Sequence, residues 1–170
     1  MPPEAFVRPA TRDDLSAIAA LHDMTFGPGA YARTAYRIRE GMPPISPFCL
    51  VSFLGGELVA TVRFTPITIG GFPGALLLGP LAVAQAHAGQ GYGKALVARG
   101  VEAARTAGRS LVLLVGNESY YSRFGFVRVP RGQITLPGPV DPDRLLAAET
   151  TPGALATSRG LVAADGGSGD

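Results

Sequence analysis

Between positions 64 and 93 the chain carries no Asp, Glu, Lys or Arg. A stretch that long without a charge has to be buried, either in a bilayer or in a protein core. The punctuation separates the two. Gly70, Gly71, Pro73, Gly74, Gly79 and Pro80 cut the stretch into short pieces, whereas a spanning helix needs about 20 continuous apolar residues. The stretch therefore predicts buried strands joined by turns, in a soluble and cytoplasmic protein. With 170 residues, 46% hydrophobic and 16% charged, the chain has the balance of a globular domain large enough to bury a core. One domain over 1–165 is expected, with a disordered tail, GGSGD, over 166–170.

Other features narrow the partners. A net charge of +2 without a run of Lys or Arg gives no electrostatic footprint for nucleic acid. The single cysteine, Cys49, excludes an intrachain disulfide and fits a reducing compartment. The opening MPPEAFVRPATRDD has no apolar core of the kind a signal peptide needs. No metal-ligand spacing occurs, so no metal is expected.

The elements follow from periodicity. A first strand is predicted over 6–9. Thr11 then caps a helix, with Asp13 and Asp14 in its first turn, where negative charge suits the dipole. Leu15, Ile18, Ala19 and Leu21 recur at helical spacing as far as Phe26. A second helix is predicted over 31–40. PFCLVSFL, Gly55-Gly56 and ELVATVRFTPITI read as a β-hairpin. A turn over 70–74 leads into ALLLGPLAVA. Proline disrupts a central strand because it has no N–H for the ladder, so a bulge or a splayed end is expected at Gly79-Pro80. A helix follows, burying Tyr92, Leu96, Val97, Gly100, Val101 and Ala104, then the buried strand SLVLLVG. A short helix over 117–124 and a last strand over 126–129 complete the reading. The fold class is mixed α/β, a mostly antiparallel sheet flanked by helices.

AGQGYGKAL, at 88–96, is the stretch with chemistry in it. Glycines let a backbone approach a ligand closely, and the free N–H groups and dipole of a helix start favour phosphate. A nucleotide P-loop needs G-x-x-x-x-G-K followed by Ser or Thr. Here Ala88 and Ala95 occupy the positions that would have to be Gly and Ser or Thr. A dinucleotide fingerprint needs G-x-G-x-x-G and an acid about 20 residues on. Here the glycines run G-x-G-x-G, and the later region is LVLLVG. Both readings fail, which leaves a phosphate cradle of another kind or a tight turn without a ligand.

The neighbouring segments resemble one family. FVRPATRDDLSAIAALH, LLLGPLAVAQAHAGQGYGKALV, LVGNESYYSRFGFVRV and ETTPGALATSRG together resemble the GNAT superfamily of N-acetyltransferases across almost the whole chain. The resemblance implies an acyl-CoA N-acyltransferase fold whose central strands splay to admit acetyl-CoA as co-substrate. The pantetheine arm would lie along Leu81, Ala82 and Val83, pairing with backbone groups of Leu81 and Val83. The pyrophosphate would rest on the loop amides of Gly89, Gln90, Gly91, Tyr92, Gly93 and Lys94. Ala88 departs from the family pattern, which has Arg or Gln there. Lys94 either adds charge near phosphate or is solvated.

The implied reaction is direct attack of a primary amine on the thioester in a ternary complex. The family's acid, a Tyr five residues before the Phe of Gly-Phe, falls on Tyr121, with Tyr120 as its neighbour and competitor. A backbone N–H near Val83, where the strands part, is the expected oxyanion donor. Asn117 either binds the cofactor's amides or caps the short helix. No general base stands out; Glu118, Asp23, Glu40 and His22 qualify by type alone. Arg33, Arg37 and Arg39 read as a solvated helix face, and Cys49 as a strand residue. The acceptor is an amine of a small molecule or peptide, and the fold admits a homodimer. The alternative is a non-catalytic acyl-CoA sensor on the same fold.

Overall fold

The computed structural model describes residues 5–26, 38–39 and 41–166. Most of the helix expected over 31–40 and of the tail expected over 166–170 lies outside them. The strands are β1 (Phe6–Pro9), β2 (Leu50–Leu54), β3 (Glu57–Ile69), β4 (Phe72–Val83), β5 (Leu111–Val115), β6 (Val127–Arg128), β7 (Ile134–Thr135), β8 (Leu145–Glu149) and β9 (Gly160–Ala164). The helices are α1 (Leu15–Phe26), α2 (Tyr92–Thr106), α3 (Glu118–Tyr121) and α4 (Ala154–Thr157).

The sheet runs β1-β2-β3-β4-β5-β8-β6, with β9 added along β3 and β7 along β9. All pairings are antiparallel except β4 with β5 and β7 with β9. Two glycine pairs, Gly55-Gly56 and Gly70-Gly71, turn the β2-β3 and β3-β4 hairpins. All four have positive φ, the conformation a tight two-residue hairpin turn requires. The second turn is shorter than expected, because Phe72 already pairs with Ile69. The uncharged stretch is thus the end of β3, all of β4 and the loop before α2. No helix among the described residues is long and apolar enough to cross a membrane.

Each face of the sheet carries its own core, and alternation along β5 assigns its side chains. Val112 and Leu114 join Phe64, Leu96, Val97 and Phe126 on the α2 side. Leu111 and Leu113 join Ile38, Ile67, Leu77 and Val162 on the other. The buried face of α2 is Tyr92, Gly93, Leu96, Val97, Gly100, Val101 and Ala104, the stripe predicted plus Gly93.

The strand expected over 126–129 is β6, but it is not the last. β7, β8 and β9 follow, and β8 sits between β5 and β6. β8 was not legible because LLAAE has no alternation and is made of good helix formers. What makes it a strand is a full ladder with β5, from Leu111–Glu149 to Val115–Leu145.

Thr11 opens α1 as expected, through a 3-10 turn over Arg12–Asp14. Asp14 is 5% exposed. Its carboxylate accepts the Thr11 N–H at 2.7 Å and both Arg8 Nη atoms at 2.7 and 2.8 Å. The hydrogen bonds from Arg8 are the main cause that lowers its pKa to about 2, against the opposing effect of burial. A depressed carboxylate stabilises the fold above its unfolded pKa, and that contribution fades as pH falls from about 4 toward 2. Asp14→Asn is therefore expected to melt below the wild type at pH 7, with the gap closing below pH 4. Melting curves at the two pH values check this; a gap that persists at pH 2 would locate the effect in packing.

Candidate active site

β4 and β5 pair only at Ala75–Leu111, Leu76–Val112 and Leu77–Leu113. From Leu78 onward β4 stays with β3 and leaves β5. At the same place β4 carries an extra residue. Leu78 faces Phe64 and Leu81 faces Val62, so Gly79 and Pro80 together oppose Arg63. This is the expected bulge. Gly79 has φ 132 and the Gly79–Pro80 peptide is cis. The strands therefore part at Leu78, beside the splayed end expected at Gly79-Pro80 and earlier along β4 than Val83, where the oxyanion donor is expected.

The backbone beyond the bulge faces two ways. Ala84 N–H donates to the Val59 carbonyl at 2.8 Å. By antiparallel alternation Ala82 also addresses β3, while the N–H and C=O groups of Leu81 and Val83 point toward the opening. Pro80 has no N–H, so Leu81 supplies the first amide on the open side.

The opening is a cleft of about 360 Å³. Leu78, Gly79, Pro80 and Leu81 form one wall and Leu114, Val115 and Gly116 the other. Phe26 of α1, Asn117, Tyr120 and Tyr121 at α3, and Arg144 just before β8 complete it. Tyr121 packs its ring against Tyr120 at 4.8 Å and Phe126 at 5.7 Å. Gly116 makes room for it, since a Cβ there would lie 2.7 Å from Tyr121 Cε2. Neither tyrosine hydroxyl makes a hydrogen bond among the described residues. Burial, with Tyr120 alongside, pushes the Tyr121 phenol up to about 12, against the opposing pull of Arg144. Burial raises Tyr120 as well. Asn117 stands at the N-cap of α3, yet its side chain makes no capping bond. Its carbonyl accepts the Tyr120 and Tyr121 N–H groups instead.

The glycine loop leads into α2 beside the open edge of β4. Gly89 and Gly91 have φ 77 and 94, values that favour glycine strongly. The first hydrogen bond of α2 runs from Ala95 N–H to the Gly91 carbonyl at 3.1 Å. The amides before Ala95 thus have no acceptor within the helix. Gln90 and Lys94 are exposed, while the Tyr92 ring is buried in the core, so Tyr92 offers the loop its backbone. Ala88 N–H donates to the Gln85 carbonyl at 3.2 Å. A Cβ on Gly93 would meet Val83 Cγ2 at 3.0 Å and Tyr120 Oη at 3.3 Å. The start of α2, the open edge of β4 and Tyr120 therefore meet at one place.

None of the described candidates for a base lines the cleft. Glu118 pairs with Arg128 at 2.9 Å. His22 lines a separate cavity of about 280 Å³ beside α1, and burial, then Arg39 and Arg63, lowers its pKa. Asp23 is exposed on α1, and Glu40 lies outside the described residues. Cys49 is buried, with Sγ accepting the Ser46 N–H at 3.3 Å, a structural thiol as expected. Arg39 corrects its reading as a solvated residue: it is half-buried and donates to the Gly79 carbonyl at 2.9 Å. Arg33 and Arg37 lie outside the described residues. Phe26, Gly116 and Arg144 carry no motif of their own, and only the fold brings them to the cleft. No three His, Cys, Asp or Glu side chains among the described residues gather as a metal site would require.

A sheet parted at a bulge, with a glycine-headed helix at the gap, defines the acyl-CoA N-acyltransferase fold. Residues 6–129 match the family described as "Acetyltransferase (GNAT) domain", and the chain belongs to that family. It is 29% identical over 118 residues to the uncharacterized N-acetyltransferase YhbS of Escherichia coli K12, covering 66% of this chain and 68% of that protein. The crystal structure of E. coli YhbS in complex with CoA superposes with a TM-score of 0.80 at 26% identity, over 97% of this chain and 93% of that one. A GNAT acetyltransferase from Brucella melitensis, crystallised with acetyl-CoA, shares the fold with a TM-score of 0.71 at 24% identity, over 96% and 97%.

Proposed function

We propose that the protein transfers an acetyl group from acetyl-CoA to a primary amine by direct attack in a ternary complex, with Tyr121 as the acid. One observation carries this reading. Leu81, Tyr120 and Tyr121 line the gap where β4 leaves β5, and the amide-rich start of α2 packs beside it against Val83 and Tyr120. The CoA and acetyl-CoA complexes of the two related structures support it.

In this reading the pantetheine arm adds to β4 through Leu81 and Val83, and the pyrophosphate lies on the amides of 89–94. Asn117 faces the cofactor's amides. The neutral amine attacks the thioester carbonyl. The Leu81 N–H, first on the open edge past Pro80, holds the oxyanion. The C–S bond then breaks, the thiolate takes the Tyr121 proton, and the nitrogen's surplus proton leaves to solvent and restores the phenol. The raised phenol stays protonated at neutral pH and is a weak acid toward an ordinary thiolate. A thiolate formed in the same cleft is desolvated too, which raises its own proton affinity. No carboxylate among the described residues lines the cleft to serve as base, in keeping with attack by an amine that arrives neutral.

A thermal-shift comparison of acetyl-CoA, CoA, NAD and ATP, paired with release of free CoA thiol in the presence of amines, tests the reading. A ligand that binds only the native state raises Tm. Stabilisation by NAD or ATP and not by acetyl-CoA would sink it. Stabilisation by acetyl-CoA without transfer to any amine would favour the sensor reading, to which Ala88 at the usual Arg or Gln position lends support.

Gly116→Ala offers a finer check. The added methyl must displace the Tyr121 ring, and small misplacements of reacting groups are costly. A fall in kcat of about tenfold is expected, with acetyl-CoA affinity held within a factor of about two. An unchanged kcat would remove the requirement for Tyr121 to stand where it does.

A further inference from the structure

The two described acids at the start of α3 and just before Arg144 are both engaged. Glu118 is bound by Arg128 at 2.9 Å. Asp143 lies between Arg128 at 3.6 Å and Arg131 at 3.3 Å. Arg144, next in the chain, lines the cleft together with Tyr121, and no carboxylate pairs with it among the described residues. Its backbone is held, since its carbonyl accepts the Gly116 N–H at 2.9 Å. The base of its side chain is thereby tied to the end of β5. Arg39, on the Gly79 carbonyl, adds a second positive charge behind the opposite wall. No Asp or Glu among the described residues lines the cleft.

A guanidinium that is anchored at its backbone, exposed and without an acid is suited to a bidentate carboxylate. The position suits an acceptor more than the cofactor, because the glycine loop that would hold the pyrophosphate lies against the far end of β4. The charge also rejects one class of acceptor. A polyamine would bring further positive charge into a cleft where no described residue offers a carboxylate to receive it.

Resting on the acetyltransferase reading above, we infer that the acceptor carries a carboxylate close to its amine, as an amino acid does, and that Arg144 binds that carboxylate. Arg144 and Tyr121 share one small cleft, so the two groups of the acceptor must lie within a few bonds of each other.

The test uses matched acceptors: phenylalanine, leucine and glutamate, the amide of each α-carboxyl group, and spermidine. Initial rates of CoA release are measured at saturating acetyl-CoA for the wild type, Arg144→Gln and Arg144→Lys. Titration of acetyl-CoA into each protein, and of N-acetylphenylalanine and its amide into the CoA-loaded proteins, gives a readout independent of turnover. The wild type is expected to prefer an acid over its amide by about tenfold or more in kcat/KM, or in binding of the N-acetyl product. Arg144→Gln is expected to bring the acid down toward the amide, with Arg144→Lys between them and acetyl-CoA affinity held within about twofold. Equal use of acids and amides, a preference for spermidine, or no discrimination in either readout would overturn the inference alone. So would a tenfold loss of acetyl-CoA affinity in Arg144→Gln, which would assign Arg144 to the cofactor. Failure of the wild type to bind acetyl-CoA would remove the parent reading and this inference with it.

Discussion

Tyr121→Phe is expected to lower kcat by about a hundredfold or more, the range that removal of a positioned acid commonly costs. Acetyl-CoA affinity should stay within about a factor of two. The asymmetry follows from what the substitution removes. The ring's contacts with Tyr120, Phe124 and Phe126 and its seat over Gly116 belong to phenylalanine as much as to tyrosine. Only the hydroxyl is lost, and it makes no hydrogen bond among the described residues. A loss confined to the transition state lowers kcat and kcat/KM together. Tyr120→Phe is the control. Its hydroxyl lies toward Gly93 at the start of α2, so its loss should fall mainly on acetyl-CoA binding. The phenol's pKa of about 12 adds a second signature, since kcat should show no alkaline fall due to Tyr121 below about pH 11. Steady-state kinetics with direct titration of acetyl-CoA would decide. A Tyr121→Phe enzyme with kcat within threefold of wild type would remove Tyr121 from the chemistry.

Gly100→Val carries the largest expected loss of stability. Gly100 lies in the middle of α2 where the helix crosses β3, and a Cβ built there would overlap the Phe64 ring. That ring is fully buried and cannot swing aside without disturbing Leu96, Val97 and Leu76 around it. Valine recovers part of the helix propensity that glycine forgoes, well under 1 kcal/mol. Overpacking of a dense core costs about 1–3 kcal/mol, occasionally more. The steric effect therefore wins, and a loss of about 3 kcal/mol is expected, or about 10 °C in Tm for a chain of this size. Ala103→Val, on the exposed side of the same helix, separates packing from propensity and should cost about 0.5 kcal/mol. Because α2 carries the loop amides at its start, the Gly100 variant should also bind acetyl-CoA less tightly. Equal melting temperatures for the two variants would mean that α2 tolerates lifting from β3.

The glycine pairs show how local physics made the first half of the fold readable. Gly55-Gly56 and Gly70-Gly71 adopt the positive φ values that only such residues take easily. The hairpins they turn were therefore visible from residue type and spacing. The same holds for the buried stripe of α2 and for the bulge at Gly79-Pro80, where a missing N–H and a missing Cβ act on the strand that contains them. The glycine loop was readable for the same reason, and counting its spacing was enough to set aside two other phosphate binders.

Past Pro130 the signals that matter are not local. LLAAE becomes β8 because β5 offers it a complete ladder, and GLVAA becomes β9 because β3 outruns β2 and leaves an edge to pair. The bulge itself was foreseen, but where β4 leaves β5 depends on a register between two segments well separated in sequence. Arg39 reads as a surface residue until the fold brings the Gly79 carbonyl to it.

By itself the sequence determined the hairpins, the helix and its glycine head, and the bulge, because each depends on the conformational limits and spacing of residues close in the chain; Tyr121 stood out only through the family resemblance. The tertiary structure decided where the strands part, which amides face the gap, which acids are already paired, and that no described acid pairs with Arg144. Those properties are pairings and distances between remote residues, and no single segment encodes them.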